Sequence, residues 1–235
     1  MPLHLLAFCL RSLYREYGSA FLVRVLLAHP RASARGIARY AGGRIPPLAR
    51  WPGGADSLVG AGFCLKSLDP PCPAGRANHL CLAFEAPHAP AAAPCHTCLI
   101  AALGRHALAS GSSFYVMTSA RDILHDVLLP ALRRRRFRAA ALALCRYSFE
   151  PIRLALSICG VEAILVPFAH GDCRDYAAWR RADLGIKPEQ TSLDERDSST
   201  LAAFLSAPAL PAAPAPRFRR AGNVYHPHPA APPPH

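Results

Sequence analysis

From Cys98 to Leu184 the chain alternates stretches of helical periodicity with short, unbroken apolar runs, and this alternation restricts the fold more than any other feature. Cys98–Ser110 (CLIAALGRHALAS) predicts a helix ended by Gly111, and Ser113–Ser119 (SFYVMTS) a buried strand. Arg121–Arg136 reads as a helix that tolerates Pro130, Ala139–Cys145 as a strand, and Glu150–Cys159 as a helix with Pro151 in its first turn and Gly160 as its stop. Val161–Phe168 is a third strand and Cys173–Leu184 a further helix. Alternating strands and helices imply a parallel sheet with right-handed crossovers and helices on its faces. The strands carry no polar alternation, so both their faces are expected to be covered. The expected class is α/β: a small parallel sheet of βαβ crossovers, Rossmann-like, with a cysteine-rich loop region before it and an N-terminal helix.

The flanking segments read differently. Leu3, Leu6, Leu10, Leu13, Tyr17, Phe21, Val25 and Ala28 recur every three or four residues, which makes one apolar helix face over residues 3–28. Arg11, Arg15, Glu16 and Arg24 interrupt that stretch, so it lacks the roughly 20 apolar residues of a bilayer crossing. It either packs on the domain or makes a peripheral contact with a membrane surface. Residues 30–62 are punctuated by Pro30, Gly42, Gly43, Pro46, Pro47, Pro52, Gly53 and Gly54 and read mostly as loop with one short helix. Residues 194–206 add a last short helix, and from Ala207 onward the Pro- and Ala-rich chain reads as a disordered tail. The expected organisation is an N-terminal helical and loop extension (1–62), a cysteine-rich α/β domain (63–206) and the tail (207–235).

Nine cysteines stand at positions 9, 64, 72, 81, 95, 98, 145, 159 and 173. Their odd number, the length of 235 residues and the absence of a basic leader and small-residue cleavage site argue against a secreted disulfide scaffold. A reducing cytoplasm is expected, with membrane association through residues 3–28 as an addition; there, clustered thiols bind metal or do redox chemistry. Cys9 and Cys159 fall on apolar helix faces and read as core. Five others crowd into residues 64–98 among prolines and small residues, where little core exists, so bound metal is the expected source of order.

Cys95-His-Thr-Cys98 precedes a helix, where unsatisfied amides favour thiolate. The preceding APHAPAAAP is no strand, which disfavours a thioredoxin-type couple. Cys145 ends the second expected strand and Cys173 follows the third, so a parallel sheet carries both to the edge where ligands bind, beside Thr118 and Ser119. The candidate metal ligands are therefore Cys64, Cys72, Cys81, Cys95, Cys98, Cys145 and Cys173. Cys72, Cys81, Cys95 and Cys98 form the first set, with Cys64 as a substitute and Cys145 and Cys173 as a second group. Soft thiolates select an iron–sulfur cluster or zinc, and the spacing does not separate them. His79, His96, His106, His125 and His170 are weaker candidates, and Asp172 and Glu150 are either acid–base groups or helix N-terminal carboxylates. The histidines of the tail, His226 among them, carry no functional weight. No Walker loop, dinucleotide fingerprint, GxSxG elbow or HExxH occurs.

The series Cys64-Leu65-Lys66-Ser67, Cys72-Pro73-Ala74, Cys81, Cys95-x-x-Cys98-Leu99-Ile100, Cys145 and Cys173 resembles the domain of unknown function one-one-six family of cysteine-rich prokaryotic proteins. The resemblance spans residues 63–193 and implies a cysteine-rich α/β domain associated with an iron–sulfur cluster, with no established reaction. The chain departs from the family in the Ala/Pro insertion at 86–94, in Thr118-Ser119 where a glycine-rich turn is expected, and in Arg-Tyr-Ser-Phe-Glu after Cys145.

The expected function is metal binding, by a [4Fe–4S] cluster with a redox or sulfur-related role and a redox or protein partner. The alternatives are a structural zinc module, a basic nucleic-acid-binding protein and a metal-free dithiol reductase. Nucleic acid is the weaker partner despite a net charge of +12, because the one dense run, Arg133–Arg136 with Arg138, reads as a solvated helix end.

Overall fold

The computed structural model describes residues 3–43, 48–85, 93–205 and 217–228. Helix α1 (Leu3–Phe21) is broken at Gly18, whose positive φ of 64° few other residues adopt, and runs through a π-turn (Leu22–Leu27) toward α2 (Pro30–Ala41). Strand β1 (Ser57–Gly62) leads through a single turn, Phe63–Leu65, into an irregular segment and the short helices α3 (Leu82–Glu85) and α4 (Ala93–Thr97). Then come α5 (Leu99–Ala109), β2 (Ser113–Met117), α6 (Ala120–Ile123), a π-turn and α7 (Leu129–Arg134). The order continues with β3 (Ala139–Leu144), α8 (Phe149–Cys159), β4 (Glu162–Pro167), α9 (Tyr176–Asp183), α10 (Glu195–Leu205), β5 (Arg217–Ala221) and β6 (Val224–His228).

The chain is thus an α/β protein with one six-stranded sheet in the order β4-β3-β1-β2-β6-β5. The first four are parallel, with Val59 opposite Phe114 on one side and Ala141 on the other, and β6 and β5 are antiparallel. Each strand divides its side chains between two cores. Leu58, Tyr115, Ala140, Leu142 and Leu144 pack with α1, α2, α6–α8 and Trp179, while Val59, Ala61, Phe114, Val116, Ala141 and Ala143 pack with α5 and α10. Cys9 and Cys159 lie in the first core, as their apolar surroundings suggest.

The three anticipated strands form within a residue or two of their expected limits, but β1 lies inside the stretch read as loop. Its sequence, SLVGAG, is small rather than apolar because the sheet is tight there. A Cβ on Gly60 would stand 2.6 Å from Leu142 Cδ2. The expected boundary at residue 63 therefore falls just after a central strand. The expected tail contains the β5–β6 hairpin, where Val224 and Tyr225 are buried against β2; residues 207–216 and 229–235 lie outside the described residues. Burial on both faces fails for β4, an edge strand whose residues stay partly exposed.

Helix α1 and the π-turn after it pack against the first core through Cys9, Leu13, Tyr17, Phe21 and Val25, and expose Phe8, Tyr14, Val23 and Leu27. Among the described residues, no helix is long and apolar enough to cross a membrane. Helices α2 and α8 meet closely at Gly36, where the Ser157 hydroxyl donates to the Gly36 carbonyl at 2.9 Å and a Cβ would collide with the backbone of Ile158. Gly36→Ala is expected to lower stability by about 1–3 kcal/mol, read from the midpoint of urea unfolding.

Candidate functional site

The strand order β2-β1-β3-β4 reverses direction at β1. Helix α5, which connects β1 to β2, covers one face, and α6–α8 cover the other. The carboxyl ends of β1 and β3 therefore border a crevice with no helix across it, where open α/β sheets bind ligands. Cys64 lies two residues beyond β1, Cys145 directly follows β3, and Cys173 lies beyond β4. The cavity between them measures about 70 Å³ and is lined by all three thiols, Met117–Ala120, Ser148, Trp179, Asp183 and Glu16.

The seven candidate cysteines divide into three and four. Cys64 belongs with the rim pair rather than with the loop thiols, because the unanticipated β1 delivers it to the crevice; the charges of Cys145 and Cys173 act on it. Burial pushes the Cys64 thiol up to about 11. Cys145 and Cys173 act on each other across this cavity. Their interaction holds Cys173 below the ordinary thiol value, with help from Lys187, and holds Cys145 well above it together with burial. The Cys145 thiol also lies 3.2 Å from the Ser148 hydroxyl. Asp172, a candidate acid, instead accepts the backbone N–H groups of Arg146 and Cys173. Glu150 opens α8 and is bonded by Tyr40 and Arg153.

Of the other four cysteines, Cys72, Cys81 and Cys98 act on Lys66, and Cys95 acts on Cys81. Cys81 is buried in the second core, its N–H donating to the Tyr225 hydroxyl at 2.9 Å, and burial pushes its thiol up to about 12. Cys98 caps α5, Cys95 is buried in α4, and Cys72 and Cys98 are partly exposed. Among the described residues, no three His, Cys, Asp or Glu side chains stand close enough to hold a metal ion as they are.

Polar side chains tie down the segment between Lys66 and Leu80. Lys66 is 1% exposed, and its ammonium donates to Gly75 O (3.0 Å), Asn78 O (2.8 Å) and Asn78 Oδ1 (2.7 Å). Arg76 donates to the carbonyls of Cys64, Lys66, Lys187 and Glu189 and so ties the loop to the segment after α9. His79 is occupied at the rim: Nδ1 bonds Val116 O, Nε2 meets Thr118, and Asp122 lies 3.5 Å away. His226 bonds Ser113 and Arg136.

Glu16 was read only as an interruption of the first helix, yet it reaches the crevice from α1. It is 8% exposed, and its Oε2 has no hydrogen-bond partner in the structure. Ser148 and Trp179 lie within hydrogen-bonding reach of its carboxyl, and Trp179 Nε1 also donates to Ser148 Oγ at 3.0 Å. Its spacing from Cys9 and Leu13 places it on the buried helix face, a signal available in the sequence. The chain matches no family model, and neither a curated protein nor a solved structure matches it.

Burial holds the Glu16 carboxyl well above the ordinary carboxylate range. The folded state then binds its proton more tightly than the unfolded state, so this stabilisation is complete below the ordinary value and is lost as pH rises toward the raised one. Glu16→Gln is expected to flatten that decline and to raise stability at neutral pH, as read from urea unfolding across a pH series.

Proposed function

We propose that Cys72, Cys81, Cys95 and Cys98 hold a thiolate-ligated metal centre, an iron–sulfur cluster of the [4Fe–4S] type, in a protein with a redox or sulfur-related role. The observation that carries this reading is the charge of Lys66. A buried ammonium is costly unless a countercharge compensates it. Its three bonds go to neutral oxygens, and the ionisable groups that act on it are Cys72, Cys81 and Cys98, with no carboxylate among them. Thiolates at those positions would supply the missing charge, and a cluster bound by four of them is an anion that a neighbouring cation and hydrogen bonds tune.

The donor set is soft, as such a centre needs. The thiols neighbour one another without being in ligating contact, so binding couples to a small closure of the loop around Lys66. When bound, the cluster would supply one-electron transfer. The chain's own groups supply the ligands, the charge of Lys66 and the cover given by Tyr225 and the hairpin. The resemblance of the cysteine series to the domain of unknown function one-one-six family supports the same reading and a reducing compartment.

Protein purified anaerobically is expected to contain iron and acid-labile sulfide and to absorb in the visible. Ser at any one of Cys72, Cys81, Cys95 or Cys98 is expected to lower the iron content by more than half, while Cys159→Ser leaves it unchanged. Colourless protein without iron or sulfide after reconstitution overturns the proposal. Stoichiometric zinc that survives exposure to air would assign a structural zinc module instead.

A further inference from the structure

At the edge of the sheet opposite the thiol crevice, a cavity of about 600 Å³ opens where Asp56 precedes β1, Arg138 precedes β3 and Gly160 ends α8. Four arginines line it: Arg35 and Arg39 from α2, Arg135 from the end of α7, and Arg138. All four are exposed, and Asp56 is the one acid in the lining. Among the described residues, Arg146, Arg153 and Arg220 pair with carboxylates, and none of these four does. Arg35 and Arg39 stand four residues apart on one helix face, where like charges repel, and Arg135 and Arg138 add to that repulsion across the cavity. The negative dipole ends of α2 and α7 account for Arg39 and Arg135. They do not account for Arg35 in mid-helix or for Arg138 beyond the helix. Arg135 is also strained: it caps α7 at φ 51° and ψ 32°, a conformation that suits glycine, and is the one non-glycine residue with positive φ among the described residues. The turn divides the basic run. Arg133 and Arg134 lie outside the cavity lining, Arg136 turns to His226 and the Phe137 ring, and Arg135 and Arg138 join the pair from α2.

We propose that this cleft binds a small organic polyphosphate of nucleotide size, with the four guanidinium groups on its phosphates and its organic body against the partly exposed Ala32 and Leu132. The charge of the lining sets the sign of the ligand, and guanidinium forks match phosphate oxygens bidentately. The volume sets its size: about 600 Å³ suits a drug-sized molecule and is far more than one inorganic phosphate fills. Several phosphates are required because an exposed arginine gains little from a single ionic contact in water. A nucleic-acid strand fits less well. Single strands are held by exposed aromatic rings on which bases stack, and Phe137, the one aromatic residue of the lining, is 2% exposed. The cleft shares no residue with the proposed metal ligands and lies at the far end of the strands from the thiol crevice, so this inference goes beyond the metal reading and does not rest on it.

The test is isothermal titration calorimetry of the full chain with adenosine triphosphate, without added magnesium. One saturable site per chain is expected, weakened by salt, with adenosine monophosphate binding more weakly and adenosine not at all. Inorganic triphosphate is expected to bind less tightly than adenosine triphosphate, because it leaves the apolar wall uncovered; equal binding overturns the assignment of an organic ligand. Arg35→Ala, Arg39→Ala and Arg138→Ala are each expected to weaken binding by about tenfold. Arg135→Gly keeps the left-handed cap and is expected to weaken binding as much while the urea midpoint holds or rises, whereas a merely structural arginine there would leave binding unchanged. Arg133→Gln and Arg134→Gln, outside the lining, are expected to leave binding as it is. Absence of a saturable site, an equal loss in the Arg133 and Arg134 variants, or tighter binding of a DNA oligonucleotide overturns the proposal. Iron is measured separately on the same preparation, so the failure of either proposal leaves the other standing.

Discussion

The reversal of strand order at β1 is the constraint on which the rest of the molecule depends. The chain leaves β1 over one face to make β2, then crosses to the far side of β1 over the other face to make β3. The ends of these two strands are therefore the one place on the parallel edge from which the connections diverge, and a crevice opens there without any side chain being specialised for it. Cys64 and Cys145 lie at its two banks because they immediately follow the strands that form it. Cys173 joins them from β4, and Glu16 closes the floor from a helix that is remote in sequence and packed beneath.

Two charge arrangements border this edge, and they have opposite sense. Lys66 is a cation solvated by neutral oxygens with thiols around it, so its surroundings favour negative charge. Glu16 is an acid in an apolar pocket near another carboxyl, Asp183, so its surroundings favour the proton. An anion-accepting loop and a proton-holding crevice stand side by side, with Arg76 joining their frameworks through the carbonyls of Cys64 and Lys66.

The sequence was legible where a residue's local pattern matched its eventual burial. β2, β3 and their helices could be read because their apolar runs are buried on both faces, and the same geometry correctly brought Cys145 and Cys173 to one rim. β1 escaped because Gly60 and Gly62 are demanded by close neighbours, Leu142 and Phe168, that local reading cannot see. The hairpin escaped because only Val224 and Tyr225 of it are buried, and Arg217, Arg219, Arg220 and Pro227 read as tail. The bonds that tie down the segment between Lys66 and Leu80 escaped because they rest on single residues: one lysine, one arginine and one asparagine satisfying backbone carbonyls. Such long-range bonds leave no periodic trace.

The Tyr225 hydroxyl ties the hairpin to Cys81 and to Glu85, more than 130 residues earlier in the chain. During synthesis β2 forms before β6 exists, leaving β2 as a temporary open edge and Cys81 without the partner of its backbone N–H. The cysteine loop therefore acquires its final cover only when residues 217–228 emerge. A chain stalled before the hairpin would expose the pairing edge of β2 to its neighbours.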